Sequence, residues 1–276
     1  MKDTKVSVLG LGIIGSVWTK HYDDAGVLAA SWNRSPKPES PLWEKDPADA
    51  AAKGDVIHLC VFDPPSVRET LERINPTLGP EKTVVQSTTI DPESAEKFAS
   101  MVSETGASYV EAPFTGSKPA AEAKKTVFFL GGGPTVVSRV DPTLALLSRK
   151  CFVFESPRQA ATIKLAMNHQ ISAITEALCE GISWARSAGL SDDQFFDVLR
   201  ENVAWSGVAG LKEDKIKNMD FSPQFSLRNM QKDLRLAEEC SPFHLPSLSL
   251  VKERLTEALE AGMGDDDFVS LLRLLP

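Results

Sequence analysis

Short apolar runs separated by segments of helical period fill the first half of this chain and then stop. The runs are Val6–Leu9, Val27–Trp32, Val56–Phe62, Thr83–Gln86, Ser108–Val110, Val127–Leu130 and Cys151–Phe154. Their length and unbroken apolar character are those of strands buried on both faces. Between most of them lie amphipathic segments such as Pro64–Ile74 and Pro92–Glu104. The second is announced by Asp91-Pro92, a capping side chain followed by a first-turn proline. Strand alternating with helix predicts an α/β domain built on a doubly wound parallel sheet. From Arg158 to Ala188 the apolar residues recur at helical spacing past Gly181 and end at Gly189, which predicts one long helix. Helical patterns follow at Asp192–Val203, Leu227–Glu239, Pro246–Glu260 and Asp266–Leu274. The second half is therefore expected to be an all-α domain joined through the long helix, with the boundary near Pro157 and domains at 1–157 and 158–276. The Ser35–Pro41 stretch reads as a loop.

The chain has 276 residues, 42% of them hydrophobic and 25% charged, enough for two cores. A net charge of −8 without any Lys/Arg-rich run argues against nucleic acid and against an anionic membrane surface as partners, and favours a small ligand. No apolar stretch approaches the roughly 20 residues of a membrane helix. The N-terminus runs into a strand pattern rather than a signal peptide, so a cytoplasmic location is the expectation. Cys60, Cys151, Cys179 and Cys240 are widely spaced inside apolar segments and read as core thiols, and no metal motif is expected.

Gly10-Leu11-Gly12-Ile13-Ile14-Gly15 directly follows the first strand and opens a helix, the context in which a G-x-G-x-x-G sequence carries weight. Gly10 permits a tight turn, Gly12 lets the backbone approach a pyrophosphate at a helix N-terminus, and Gly15 lets the helix pack on the sheet. The first domain is thus a candidate Rossmann dinucleotide-binding domain. The second strand ends in Trp32-Asn33-Arg34-Ser35, where an NAD enzyme would present a carboxylate to the ribose 2′-hydroxyl. Asn33 removes the repulsion that a 2′-phosphate would feel. Arg34 can pair with that phosphate, and Ser35 offers a hydroxyl. The expected cofactor is NADP(H).

Lys164 and Asn168 stand four residues apart on the long helix, one turn up the same face, among Ile163, Leu165, Ala166 and Met167. A lysine in such company either snorkels to water or works in a cleft, and spacing alone leaves both readings open. His169 beside them reads as a core or interface residue.

With these segments in view, the sequence resembles the β-hydroxyacid dehydrogenases, particularly the NADPH-dependent glyoxylate/succinic semialdehyde reductases and the 3-hydroxyisobutyrate dehydrogenases. The resemblance spans nearly the whole chain. It rests on Gly10–Gly15, Asn33-Arg34-Ser35, Ser87-Thr88-Thr89-Ile90-Asp91, Glu111-Ala112-Pro113-Phe114-Thr115-Gly116-Ser117, Lys164 with Asn168, and Gln231-Lys232-Asp233-Leu234-Arg235-Leu236-Ala237. It implies hydride transfer between a nicotinamide and the carbonyl of a small aldehyde- or keto-acid, with Lys164 as general acid and Asn168 holding the substrate and supporting the lysine. Thr115, Gly116 and Ser117 are implied to grip the substrate carboxylate. Thr89 and Lys232 match cofactor-contacting positions, and Phe62 with Asp63 and Pro64 is implied to edge the nicotinamide ribose. A homodimer or homotetramer formed through the helical half is expected. The chain departs from the family at Thr115-Gly116, usually Ser-Gly, at a glycine replaced in the Lys124-Lys125 region, and at Glu155–Ala160, usually glycine-rich. Arg158 there could add a second cation for a longer, dicarboxylate-like substrate. The rival readings are a 3-hydroxyisobutyrate dehydrogenase, an imine reductase, and a non-catalytic NADP-binding relative. A 6-phosphogluconate dehydrogenase would require a larger helical domain.

Overall fold

The computed structural model describes residues 4–276, and its contacts divide the chain into two compact units that meet at Lys164 and Leu165. The first unit runs β1 (Val6–Leu9), α1 (Ile13–Asp24), β2 (Leu28–Trp32), α2 (Pro47–Lys53), β3 (Val56–Leu59), α3 (Pro64–Ile74), β4 (Thr83–Gln86) and α4 (Pro92–Ser103). It continues with β5 (Ser108–Glu111), β6 (Phe114–Thr115), α5 (Lys118–Glu122), β7 (Thr126–Gly131), α6 (Pro134–Leu144) and β8 (Ser148–Phe154). The sheet order is β2-β1-β3-β4-β5-β7-β6, with β8 paired to β7. Strands β1 to β5 pair in parallel, whereas β7 runs antiparallel to β5 and β6. The doubly wound parallel sheet read from the sequence is therefore present with an antiparallel edge, and the short strand β6 was not legible as an apolar run.

Alternate residues of the strands enter different cores. Leu9, Ile57, Leu59 and Val84 pack in one cluster with Val67, Leu71 and Phe98, while Val8, Val56 and Val85 pack in another with Trp18, Tyr22 and Phe128. Each fully buried aliphatic side chain contributes about 1.5–3 kcal/mol, so covering both faces is what fixes the register. Helices α3 and α4 start where the sequence announces them: Asp63 accepts from the Ser66 N–H at 2.9 Å and Asp91 from the Ser94 N–H at 2.8 Å.

Helix α7 (Pro157–Ser187) is the long helix, and it is followed by α8 (Asp192–Glu201), α9 (Gly207–Lys217), α10 (Leu227–Cys240), α11 (Pro246–Glu260) and a 3-10 helix at Phe268–Leu274. The second unit packs Leu178, Ile182, Phe196, Leu227, Leu234, Leu255 and Phe268 around one core. Lys212 and Asp267 form a buried ion pair at 2.7 Å, and Asp267 also accepts the Gln224 N–H at 2.9 Å, which ties α9 to the C-terminal turn. Such a pair is tolerated in the interior because its remaining acceptor sites are hydrogen-bonded.

One expectation is corrected. Only Cys179 is a core thiol; Cys60 and Cys151 are half-buried and Cys240 is exposed, because it falls on the outward side of the last turn of α10. The guanidinium of Arg158 donates to Glu96 of α4 through two hydrogen bonds of 2.9 and 2.7 Å. The turn Glu155-Ser156 lacks glycine because the close approach is accommodated on the neighbouring strand, where a Cβ on Gly131 would lie 2.4 Å from the Ser156 carbonyl oxygen. Lys124 takes up φ +56°, the left-handed conformation that favours glycine.

Candidate functional site

The parallel order reverses between β1 and β3, and the loops that leave these two strands meet at their C-terminal ends. Gly10, at φ +111°, is wedged against the second loop: a Cβ there would stand 2.1 Å from the Cys60 carbonyl oxygen. A Cβ on Gly15 would stand 1.9 Å from the Gly10 carbonyl oxygen, so α1 lies against the turn with no room for a methyl group. Gly12 differs from both. A Cβ on it would meet nothing within 4 Å, and no side chain caps the N-terminus of α1 that it opens. An open backbone at the start of a helix, on a sheet's switch point, is a cradle for a pyrophosphate. Leu11 is buried within this loop, while Ile13 is exposed and Ile14 half-buried.

Asn33 binds the same loop. Its Oδ1 accepts the Leu11 N–H at 2.9 Å and its Nδ2 donates to the Ser35 carbonyl at 2.9 Å. Arg34 and Ser35 are exposed beside it. The ammonium of Lys37, in the Ser35–Pro41 loop, donates to the Leu11 carbonyl at 2.6 Å and adds a second cation on this side of the glycine turn.

Lys164 is 7% exposed, and its Nζ lies 5.7 Å from the centre of the Phe114 ring. The choice left open by its spacing on the helix falls on burial, with the ammonium over an aromatic face. Phe114 belongs to β6, so the next residues along the chain are Thr115 and Gly116. Gly116 has φ +118°, and a Cβ on it would press on the Ala120 side chain at 3.0 Å. Ser117, at the start of the short α5, does not use its hydroxyl to cap that helix.

In the second unit Asn168 is buried, and its Nδ2 donates to Asp233 Oδ2 at 2.5 Å. Lys232 is buried too, with Nζ 2.9 Å from Asp233 Oδ1 in an ion-pair contact that lacks the alignment of a hydrogen bond. Asp233 thus joins two residues singled out from the sequence, although it was quoted there only as part of a motif.

Residues 5–154 match the family model of the NAD binding domain of 6-phosphogluconate dehydrogenase, and residues 159–275 match that of NADP-dependent 3-hydroxyisobutyrate dehydrogenase. The chain belongs to the β-hydroxyacid dehydrogenase family. It is 25% identical over 287 residues to glyoxylate/succinic semialdehyde reductase 1 of Arabidopsis thaliana, covering 97% of each chain. It is 29% identical over 247 residues to the cytokine-like nuclear factor N-PAC of Danio rerio, covering 85% of this chain and 53% of that one. Among solved structures it is similar to the 3-hydroxyisobutyrate dehydrogenase of Mycobacterium tuberculosis, with a TM-score of 0.88, 22% identity and 98% of each chain covered.

A dehydrogenase of this family is an oxidoreductase that uses a nicotinamide dinucleotide, and the open cradle at Gly12 fits the pyrophosphate of such a group. Thr89, half-buried after β4, and Phe62, 41% exposed after β3, follow the strand ends that border the cradle. Five further polar residues, Tyr22, His58, Gln86, Ser87 and Glu111, were given no role from the sequence, Ser87 and Glu111 being quoted only within motifs. His58 is fully buried, and burial lowers its pKa to about 3, so the ring is neutral. The Ser87 hydroxyl donates to the Ala112 carbonyl at 2.8 Å and lies 2.8 Å from His58 Nε2, while Tyr22 lies 3.1 Å from Nδ1. Gln86 and Glu111 end β4 and β5 and are buried side by side. The available signal was a polar residue in an otherwise apolar strand. Among the described residues no group of three His, Cys, Asp or Glu is placed to hold a metal ion, and no helix is long and apolar enough to cross a membrane.

Proposed function

We propose that this dehydrogenase uses NADPH to reduce the carbonyl of a small aldehyde- or keto-acid, of the kind represented by glyoxylate or succinic semialdehyde, to the hydroxy acid. The observation that carries this reading is the buried Lys164 ammonium over Phe114, adjoining the Thr115-Gly116 backbone. When bound, the dinucleotide supplies hydride to the carbonyl carbon. Lys164 Nζ gives its proton to the oxygen on which negative charge develops, acting as general acid. The Thr115 and Ser117 hydroxyls and the Gly116 N–H are donors suited to the substrate carboxylate. Asn168, held by Asp233, keeps the substrate and the lysine in register. Gly10, Leu11, Gly12, Ile13, Ile14 and Gly15 hold the pyrophosphate, with Asn33, Arg34 and Ser35 at the 2′-phosphate and Phe62, Thr89 and Lys232 toward the nicotinamide half. The lysine also argues against an imine reductase, which places another residue there and has little use for a carboxylate grip, and against a non-catalytic relative, which lacks it. Oxidation of NADPH with glyoxylate, succinic semialdehyde and methylmalonate semialdehyde, run beside a cyclic imine, tests it. Turnover of the imine alone would overturn it.

The preference for NADPH rests on the absence of a carboxylate after β2. Arg34→Ala should raise KM for NADPH roughly tenfold or more while leaving KM for NADH within about twofold, since one exposed charge-assisted contact to phosphate is lost. An unchanged ratio of the two constants would remove Arg34 from the site.

The second unit also supports self-association. Trp184, Val198, Val203 and Leu211 are 80%, 71%, 102% and 53% exposed, more large apolar surface than a solvated helical domain ordinarily leaves. Sedimentation should find a homodimer or homotetramer, and Trp184→Glu should shift it toward monomer. A monomeric unaltered chain at micromolar concentration would contradict this.

A further inference from the structure

The ends of β4 and β5 carry a buried polar assembly that is not part of the glycine cradle. Gln86 and Glu111 are both 0% exposed and stand opposite each other in the parallel register. Gln86 Nε2 donates to Glu111 Oε1 at 2.9 Å and to the Thr88 carbonyl at 2.9 Å, and the Thr88 N–H donates back to Gln86 Oε1 at 2.6 Å. The Gln86 amide therefore grips the Thr88 peptide groups from both sides. The Thr88 hydroxyl in turn accepts the Val61 N–H at 2.9 Å, which ties the loop after β4 to the loop after β3. On the other side, the Tyr109 hydroxyl meets Glu111 Oε2 at 2.5 Å. One chain of hydrogen bonds thus runs from β5 through β4 to Val61, the residue before Phe62, and passes through Thr88, the residue before Thr89.

We infer that Gln86 and Glu111 are positioning residues for the nicotinamide half of the cofactor site, setting the loops that carry Thr89 and Phe62 at a fixed separation. The inference rests on the cofactor reading proposed above. Glu111 has no cationic partner among the described residues, and burial raises its pKa to about 8, so it is a neutral acid near pH 7. Stability alone does not call for such a group, because an apolar side chain at a buried site of this kind is commonly as stable or more so. What the acid adds is direction: it leaves the Gln86 amide one orientation, the one that fixes Thr88. Phe114 and Thr115 follow Glu111 closely along the chain, so the same residue anchors the start of the substrate segment.

The test compares Glu111→Leu, Gln86→Leu and the near-isosteric Glu111→Gln. Equilibrium binding is measured for NADPH and for adenosine 2′,5′-bisphosphate, which carries the adenosine half and no nicotinamide. The two leucine variants should weaken NADPH roughly tenfold, the cost of a broken buried hydrogen-bond chain, and leave the bisphosphate within about twofold. Glu111→Gln, whose amide can still accept from Gln86 and donate to the Tyr109 oxygen, should restore NADPH binding. Hydrogen exchange of the Val61 and Thr88 amides should accelerate in the leucine variants and return to the unaltered rate in Glu111→Gln. Equal weakening of both ligands, unchanged NADPH binding, or failure of Glu111→Gln to rescue would overturn the positioning role alone. Failure of the unaltered chain to bind either ligand would overturn the cofactor reading and this role together.

Discussion

Lys164→Ala is expected to lower kcat for the aldehyde-acid substrate by at least about a hundredfold, the low end of what a positioned general acid contributes. NADPH affinity should stay within about twofold, because the ammonium sits over Phe114 of β6, whereas the glycine loop follows β1 and is braced by Asn33 and Lys37. Lys164→Arg refines the expectation. Guanidinium keeps the positive charge and the ring contact but does not release a proton in this pH range, so folding and binding should survive while turnover stays low. Steady-state kinetics beside a fluorescence titration of NADPH separates the effects. Substantial turnover by either variant would mean that the proton comes from elsewhere.

The glycine loop yields the second large effect, and the three glycines should behave differently. Gly15→Ala would bring a methyl group to 1.9 Å from the Gly10 carbonyl, and Gly10→Ala would bring one to 2.1 Å from the Cys60 carbonyl at a φ that alanine avoids. Backbone offers no rotamer through which to yield, so both should lose about 3 kcal/mol of stability or more, seen as a lower thermal midpoint. Gly12→Ala meets nothing within 4 Å and should keep its stability within about 1 kcal/mol. Its methyl group would occupy the open face of the cradle. Dinucleotide binding should then weaken roughly ten- to a hundredfold, the equivalent of 1–3 kcal/mol of overpacking. Measured by thermal melt and titration on the same preparations, intact binding in Gly12→Ala would place the pyrophosphate elsewhere.

The parts of the fold legible in the sequence were those governed by local chemistry. The start of α4 was readable because its cap Asp91 and first-turn Pro92 lie side by side, and α3 and α11 were delimited by Pro64 and Pro246 and their apolar period. Helix α2, Pro-Ala-Asp-Ala-Ala-Ala-Lys, offers hardly any apolar contrast, and α6 hides behind the internal Pro142. Helix α9 contains Gly207 and Gly210 and has little amphipathic character, so neither period nor propensity announced it. The segment from Asp266 reads as a helix but closes as a 3-10 turn capped by Asp267, a distinction that pattern cannot make. For the site, Gly10, Gly12 and Gly15 were readable because their order along the chain is itself the structure. Gln86, Glu111 and Asp233 were not. Their partners lie on other strands or helices: strand register brings Gln86 opposite Glu111, and the packing of α10 against α7 brings Asp233 to Asn168.

The twofold hydrogen bonding of Asn33 bears on any attempt to redesign this enzyme's coenzyme choice. Installing an acid there to favour the unphosphorylated coenzyme would keep an acceptor for the Leu11 N–H but set a carboxylate against the Ser35 carbonyl, which now receives a donor. Selectivity and loop shape share one side chain. A change of preference would have to be installed together with a new brace for the 33–35 turn, and single substitutions at that position should yield poor catalysts with either coenzyme.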